Sequence, residues 1–355
     1  MSDPRWRVLV PTSLPAEPIT EIYDPAGDIE LVYALPPEER VLGGGPLGPA
    51  GQKAKASQVL WERSGEFDAV GALPGPPYVT AEVLDRNPQL KVVFIASAGF
   101  DSIDVPAATE RGVVVVNAAG NNVVPVSEHA IGLLLSVSRK IGLIDRRAHA
   151  ERRGLHYTDV GPYPPTLDGG TLGLVGFGAI GRRVARIASA GLGMQVLAYD
   201  PYGAPEPGVE FVATLAELLT RSDAVSLHLP LTERTRHTIG AAELALMKPG
   251  AFLVNTARGP IVDTDALVAA LRAGSLGGAG LDVTDPEPLP AEHPIFDLDN
   301  VVLTPHYAGA SPGAIVTAHR MAAQGVVDAL HGIEPATLVN PEVWKRYLNR
   351  LEHEA

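Results

Sequence analysis

Ten short β-branched runs, separated by stretches of helical spacing, constrain this chain most: RVLV, AVGAL, KVVFIA, GVVVVN, then TLGLVGF, QVLAYD, AVSLHLP, AFLVNTA, GGAGLDV and NVVLTPH. Strands that alternate with helices build parallel sheets, because each helix carries the chain back to start the next strand. With 355 residues there is enough chain for two such units. The stretch that begins at Pro125 and runs through SEHAIGLLLSVSRKIGLIDRRAHAERRG reads as one long crossover helix between them, with proline in its first turn. A second helical stretch from Ser311, SPGAIVTAHRMAAQGVVDALHG, has an apolar face that can return to the first unit. The expected domains are therefore 1–121 completed by 310–355, and 122–309. Gly43–Gly51, GGGPLGPAG, reads as a surface loop, with a lid over a cleft as the other reading.

Composition removes several classes of function. The longest apolar runs fall well short of the roughly 20 residues that cross a bilayer, and no export signal is visible at the start, so the expectation is a cytoplasmic protein without membrane contact. There is no cysteine, hence no disulfide, catalytic thiolate or thiolate metal site. A net charge of −13 argues against a nucleic-acid partner, and the most basic stretch, Arg146–Gly154, is interrupted by Glu151. The histidines show no ligand spacing, so no metal is expected.

Gly176-Phe177-Gly178-Ala179-Ile180-Gly181 has G-x-G-x-x-G spacing directly after an apolar strand and at the start of a helix. That context suits a dinucleotide: a tight turn at the first glycine, close approach of the pyrophosphate at the second, helix packing at the third. Asp200 follows the next strand, where a carboxylate accepts hydrogen bonds from the adenosine ribose and repels a 2′-phosphate. DPYGAPEPG after it supplies no arginine, so NAD is expected rather than NADP. Three further strand ends carry chemistry. Arg258 in NTARGP can hold a carboxylate by two points, Glu287 lies in a proline-rich loop, and His306 titrates near neutrality as proton transfer with a carbonyl requires. His228 and His129, with Glu128, read as packing and anchoring residues.

These motifs, together with SAGFDSIDVPAATERGVVVVNAAGNNVVPVSEHAIGLLL, SLHLPLTERTRHTIG, MKPGAFLVNTARGPIVDTDAL and AGLDVTDPEPLPAEHPIF, resemble the D-isomer-specific 2-hydroxyacid dehydrogenase family on its glycerate, hydroxypyruvate and glyoxylate reductase side. The resemblance implies two Rossmann-like or flavodoxin-like α/β domains with parallel sheets and an active site in the interdomain cleft. It implies NAD(H)-dependent interconversion of a small 2-oxo acid and the D-2-hydroxy acid by hydride transfer. Arg258 would hold the substrate, His306 would be the acid/base, and Glu287 would orient it and raise its pKa. The backbone N–H groups of Ala98 and Gly99 would bind the substrate carboxylate. Val126, Pro230, Thr256, Ala257 and Asp282 would line the nicotinamide half of the cofactor site, and the 176–181 turn with Asp200 would take the rest. A homodimer through the cofactor domain is implied as well. Glu287 speaks against the formate-oxidising branch, which has glutamine there, and GALPGPPYVT lacks the basic side chains of phosphate-using members. An NAD(H)-sensing corepressor-like protein of this fold, or a dehydrogenase for an inorganic or one-carbon acid such as phosphite, are the alternative readings. Tyr307 stands where a small aliphatic is common in the family.

Overall fold

Valine-rich runs form the centres of two wholly parallel sheets in the computed structural model, which describes residues 5–11, 17–23, 27–36, 48–63, 65–73, 75 and 78–353. The chain divides into one unit of Met1–Asn122 with Ser311–Ala355 and another of Val123–Ala310.

In the first unit, β1 (Trp6–Val10), β2 (Ile29–Tyr33), β3 (Ala69–Ala72), β4 (Val92–Ile95) and β5 (Val114–Val116) lie in the order β2-β1-β3-β4-β5, every pair parallel. Val92, Val93, Val114 and Val115 are fully buried, as strands covered on both faces require. Ala56, Leu60, Leu84 and Ala108 cover one face. The other takes Ala322, Ala323, Val326 and Ala329 of the helix Pro312–Leu330, whose start is capped by the Ser311 hydroxyl accepting from the Ala314 N–H. The ten runs did not include β2: its Glu30 is exposed and pairs with Arg7, so this edge strand lacks a continuous apolar signature. Of the expected Gly43–Gly51 loop, residues 43–47 lie outside the described residues. Residues 48–51 instead open the helix Gly48–Glu62, where Pro49 occupies a first-turn position that needs no N–H donor.

The second unit contains β6 (Thr171–Val175), β7 (Gln195–Tyr199), β8 (Glu210–Phe211), β9 (Ala224–Leu227), β10 (Phe252–Asn255), β11 (Gly278–Leu281) and β12 (Val301–Leu303). Their order is β12-β11-β10-β9-β6-β7-β8, again all parallel. The direction of winding reverses between β6 and β9, so a ligand is expected outside their carboxyl ends. Ala130, Leu133 and Leu134 pack with Val184, Ala185 and Ala188 on one face; Leu218, Leu244, Leu267 and Leu271 cover the other.

The single crossover helix expected from Pro125 is two helices, Val123–Ser138 and Ile141–Glu151. Lys140 adopts a left-handed φ of 58° between them, and Arg139 and Lys140 donate to the carbonyls of Pro165 and Pro162. The second helix buries no residue, so packing does not force it to continue the first. Two arginines at its end are paired, Arg147 and Arg153 with Glu151 and Arg153 also with Asp159. Among the described residues no helix is long and apolar enough to cross a membrane.

Candidate active site

The three glycines of the turn after β6 are required for different reasons. Gly176 has φ 91°, and a Cβ on it would overlap the His228 carbonyl. A Cβ on Gly181 would lie 2.6 Å from the Gly176 oxygen. Gly178, the N-cap of the helix Ala179–Leu192, has an ordinary φ of −77°, and a Cβ there would meet nothing within 4 Å. The fold itself therefore demands the outer glycines only; the middle one leaves open the space in front of the helix N-terminus, where the first-turn N–H groups of Ala179 and Ile180 would hold the pyrophosphate of a dinucleotide. The buried Phe177 donates its N–H to Asp200 Oδ2 at 2.8 Å, and Asp200 Oδ1 accepts from the Tyr202 N–H at 2.8 Å. Each carboxylate oxygen keeps a second lone pair for a ribose hydroxyl.

Other candidate cofactor residues surround the same strand ends. Thr256 follows β10 and its Oγ1 is buried without a hydrogen-bond partner, an orphan that a ligand amide would satisfy. The Ala257 N–H donates to Asn255 Oδ1, and the Pro230 carbonyl after β9 accepts from Thr235 Oγ1. Val126 is buried in the first turns of its helix. These residues fit an NAD molecule.

Arg258, Glu287 and His306 are brought together by backbone contact as well as by charge. Asn255 Nδ2 donates to the Arg258 carbonyl at 2.9 Å and fixes the loop after β10. The following Gly259 lies so close to the Thr284 carbonyl that any Cβ would overlap it, which holds the Arg258 loop against the loop bearing Glu287. His306 Nδ1 lies 2.7 Å from Glu287 Oε1. That contact points Nε2 away as the nitrogen able to exchange a proton. The hydrogen bond to Glu287 raises the His306 pKa; desolvation opposes it, the Glu287 charge reinforces it, and Arg258 lowers it. Desolvation pushes Glu287 upward, but the hydrogen bond and charge of His306, the Thr284 N–H and Arg258 outweigh it, so its pKa is below the ordinary glutamate value.

Asp282 is turned toward the His306 loop. Its side chain is buried, Oδ1 accepts from Thr304 Oγ1 at 2.6 Å and the Tyr307 N–H at 2.7 Å, and Oδ2 accepts from the Ala308 N–H at 2.9 Å. Its carbonyl also accepts from the His306 N–H. His306 itself has φ 55°, a left-handed conformation that needs such external holding in a residue with a Cβ. His129 reaches Thr304 Oγ1 at 2.8 Å and so anchors its helix to this network. Nothing in the sequence pattern singled out Thr304 or Asn255; their role depends on contacts between strand ends. Burial pushes the His228 pKa down to about 4, and Nε2 lies 2.9 Å from Ser226 Oγ, which suits a packed, neutral ring.

Ala98 and Gly99 belong to the first unit, in the loop after β4. Their carbonyls are taken by Asn117 Nδ2 at 2.8 Å and Ser97 Oγ at 2.6 Å. Their N–H groups make no hydrogen bond among the described residues, which leaves two adjacent donors for an anion.

Residues 131–308 match the family model described as D-isomer specific 2-hydroxyacid dehydrogenase, NAD binding domain. The chain is 43% identical to the glyoxylate reductase of Thermofilum pendens over 275 residues, 75% of this chain and 80% of that one. Among solved structures, the holo form of Rhodotorula graminis D-mandelate dehydrogenase is similar with a TM-score of 0.81 and 32% identity, covering 95% of this chain and 98% of that one. The NADPH-dependent glyoxylate/hydroxypyruvate reductase of Sinorhizobium meliloti in complex with NADP and malonate gives 0.76 at 27% identity, covering 94% and 97%. The chain therefore belongs to the D-isomer specific 2-hydroxyacid dehydrogenase family and is an NAD-dependent enzyme that interconverts 2-oxo and 2-hydroxy acids.

Proposed function

We propose that this chain reduces a small 2-oxo acid to the D-2-hydroxy acid, with Arg258 as the substrate clamp and His306, supported by Glu287, as the acid/base. The 2.7 Å contact between His306 Nδ1 and Glu287 Oε1, with its opposed pKa shifts, is the observation that carries this reading. NAD(H), when bound, exchanges the hydride at carbon 2. Arg258 is half-buried at a strand end, where its guanidinium can hold carboxylate and carbonyl in one plane. His306 Nε2 gives its proton to the carbonyl oxygen as charge develops there, and Glu287 stabilises the imidazolium beforehand. In the reverse direction the neutral ring takes the proton from the hydroxyl. Asp282 and Thr304 act by positioning the His306 loop.

Glyoxylate is the first substrate to assay, on the similarity to a glyoxylate reductase. NADH oxidation is measured over glyoxylate, hydroxypyruvate, pyruvate, phenylpyruvate and branched 2-oxo acids, with His306→Ala beside the unaltered protein. Turnover that His306→Ala abolishes, with NADH still bound, supports the proposal. NADH binding without turnover of any of these acids favours a nucleotide-sensing protein instead. Pairing of two chains through the 123–310 unit is part of the proposal: its helix Ile141–Glu151 buries no residue, and Ile141 and Tyr163 are exposed. A single-chain mass in sedimentation equilibrium excludes it.

A further inference from the structure

We propose that Glu206 is a second determinant of cofactor choice beside Asp200, because it holds in an ion pair a guanidinium that would otherwise serve a 2′-phosphate. The segment after Asp200 contains no arginine, but the fold brings one in from the helix that opens the dinucleotide turn. Arg182 follows Gly181 directly. Its Nη1 lies 2.7 Å from Glu206 Oε2, and its Nη2 donates to the Ala204 carbonyl at 3.2 Å. The guanidinium carbon stands 4.8 Å from the centre of the Phe177 ring, and Phe177 donates its N–H to Asp200. The 200–206 loop folds back on Asp200 through the Gly203 N–H to its carbonyl and the Tyr202 N–H to its carboxylate. Asp200, Phe177, Arg182 and Glu206 thus form one contiguous cluster at the carboxyl end of β7.

The charge at that cluster decides what it accepts. Two carboxylates and one guanidinium leave a net negative charge where the ribose 2′ position is read, which is unfavourable to a phosphate dianion. Arg182 cannot turn to a phosphate without giving up a charge-assisted hydrogen bond. Both side chains of the pair are about one-third exposed, so a ligand can reach them, and losing so exposed a pair leaves the fold intact. Without the Glu206 charge, the Phe177 face still keeps the guanidinium nearby, where its planar fork suits phosphate oxygens. Asp200 alone is then an incomplete gate: neutralising it leaves Arg182 engaged with Glu206.

This inference rests on the reading of the 176–181 turn and Asp200 as the NAD site, and binding is measured separately from turnover for that reason. Dissociation constants for NADH and NADPH are obtained by fluorescence titration of the unaltered protein, Glu206→Gln, Asp200→Ser, the double variant, and the double variant with Arg182→Gln. Glu206→Gln is expected to shift the NADPH-to-NADH affinity ratio toward NADPH by about tenfold, on the order of one neighbouring charge near a protein surface. The double variant is expected to exceed the product of the single effects, and Arg182→Gln to remove the gain. An unchanged ratio in Glu206→Gln overturns the proposal, as does a gain that survives Arg182→Gln. Failure of the unaltered protein to bind NADH would sink the underlying site assignment instead.

Discussion

His306 combines a left-handed backbone, held by the Asp282 carbonyl, with a ring nitrogen on Glu287, and the acid/base role proposed for it gives the reaction a definite pH dependence. Reduction needs the imidazolium, so kcat/KM for the 2-oxo acid falls as pH rises through the raised His306 pKa. Oxidation needs the neutral ring and falls as pH drops through the same value. Glu287→Gln keeps the shape and removes the charge that raises it, so both limbs move to lower pH: reduction fails earlier on the alkaline side and oxidation survives further into acid. Profiles of kcat/KM in both directions test this, and limbs that stay in place would mean another group titrates. Arg258→Lys keeps the charge but loses the planar two-point fork. We expect kcat/KM to fall by roughly a hundredfold or more while NADH fluorescence still reports binding. Parallel loss of NADH binding would assign Arg258 a structural role.

At the scale of elements, the dinucleotide turn separates what the fold needs from what a ligand needs. Gly178 is an N-cap at ordinary φ with open space around it, and aspartate is a better N-cap than glycine. Gly178→Asp is therefore expected to keep or slightly raise the melting temperature while abolishing NADH binding, because its carboxylate occupies the pyrophosphate position. Gly181→Ala forces a methyl against the Gly176 oxygen and is expected to cost about 1–3 kcal/mol of stability. Paired melting curves and NADH titrations check both, and a Gly178→Asp protein that binds NADH normally would remove the turn from the cofactor site. The same elements explain what was legible beforehand. Apolar runs and punctuating glycines depend on local sequence, so the central strands, the turn and the helix from Pro312 could be read directly. β2 could not, because an edge strand buries too little to need a continuous apolar run. The break at Lys140 depends on carbonyls more than twenty residues away, at Pro162 and Pro165. Among candidate site residues, Arg258, Glu287 and His306 could be proposed from type and place alone. Asn255, Thr304, Arg182 and Glu206 did not, since an amide, a hydroxyl or a surface ion pair acquires a role only from what the fold sets beside it.

Among the described residues of the whole molecule, the apolar cores are built unit by unit. The clusters around Leu9 and Val326 draw only on residues of the first unit, including its C-terminal return, and those around Leu134 and Leu218 only on residues 123–310. A chain of this kind has no requirement to unfold in a single step. Val326 makes the point testable, because it is fully buried in the helix Pro312–Leu330 against the first sheet, more than two hundred residues after the strands it covers. Val326→Asp places an unpaired carboxylate in that core and should cost about 3–5 kcal/mol. If the cores are energetically separate, the cost falls on the first unit alone. Calorimetry should then show one transition moved to lower temperature and a second left in place. NADH, which binds the other unit, should raise only the upper transition, in proportion to the logarithm of its concentration. A single transition that moves as a whole, with NADH protecting both sheets equally, would show that the units unfold as one and that the C-terminal return stabilises the cofactor unit as well.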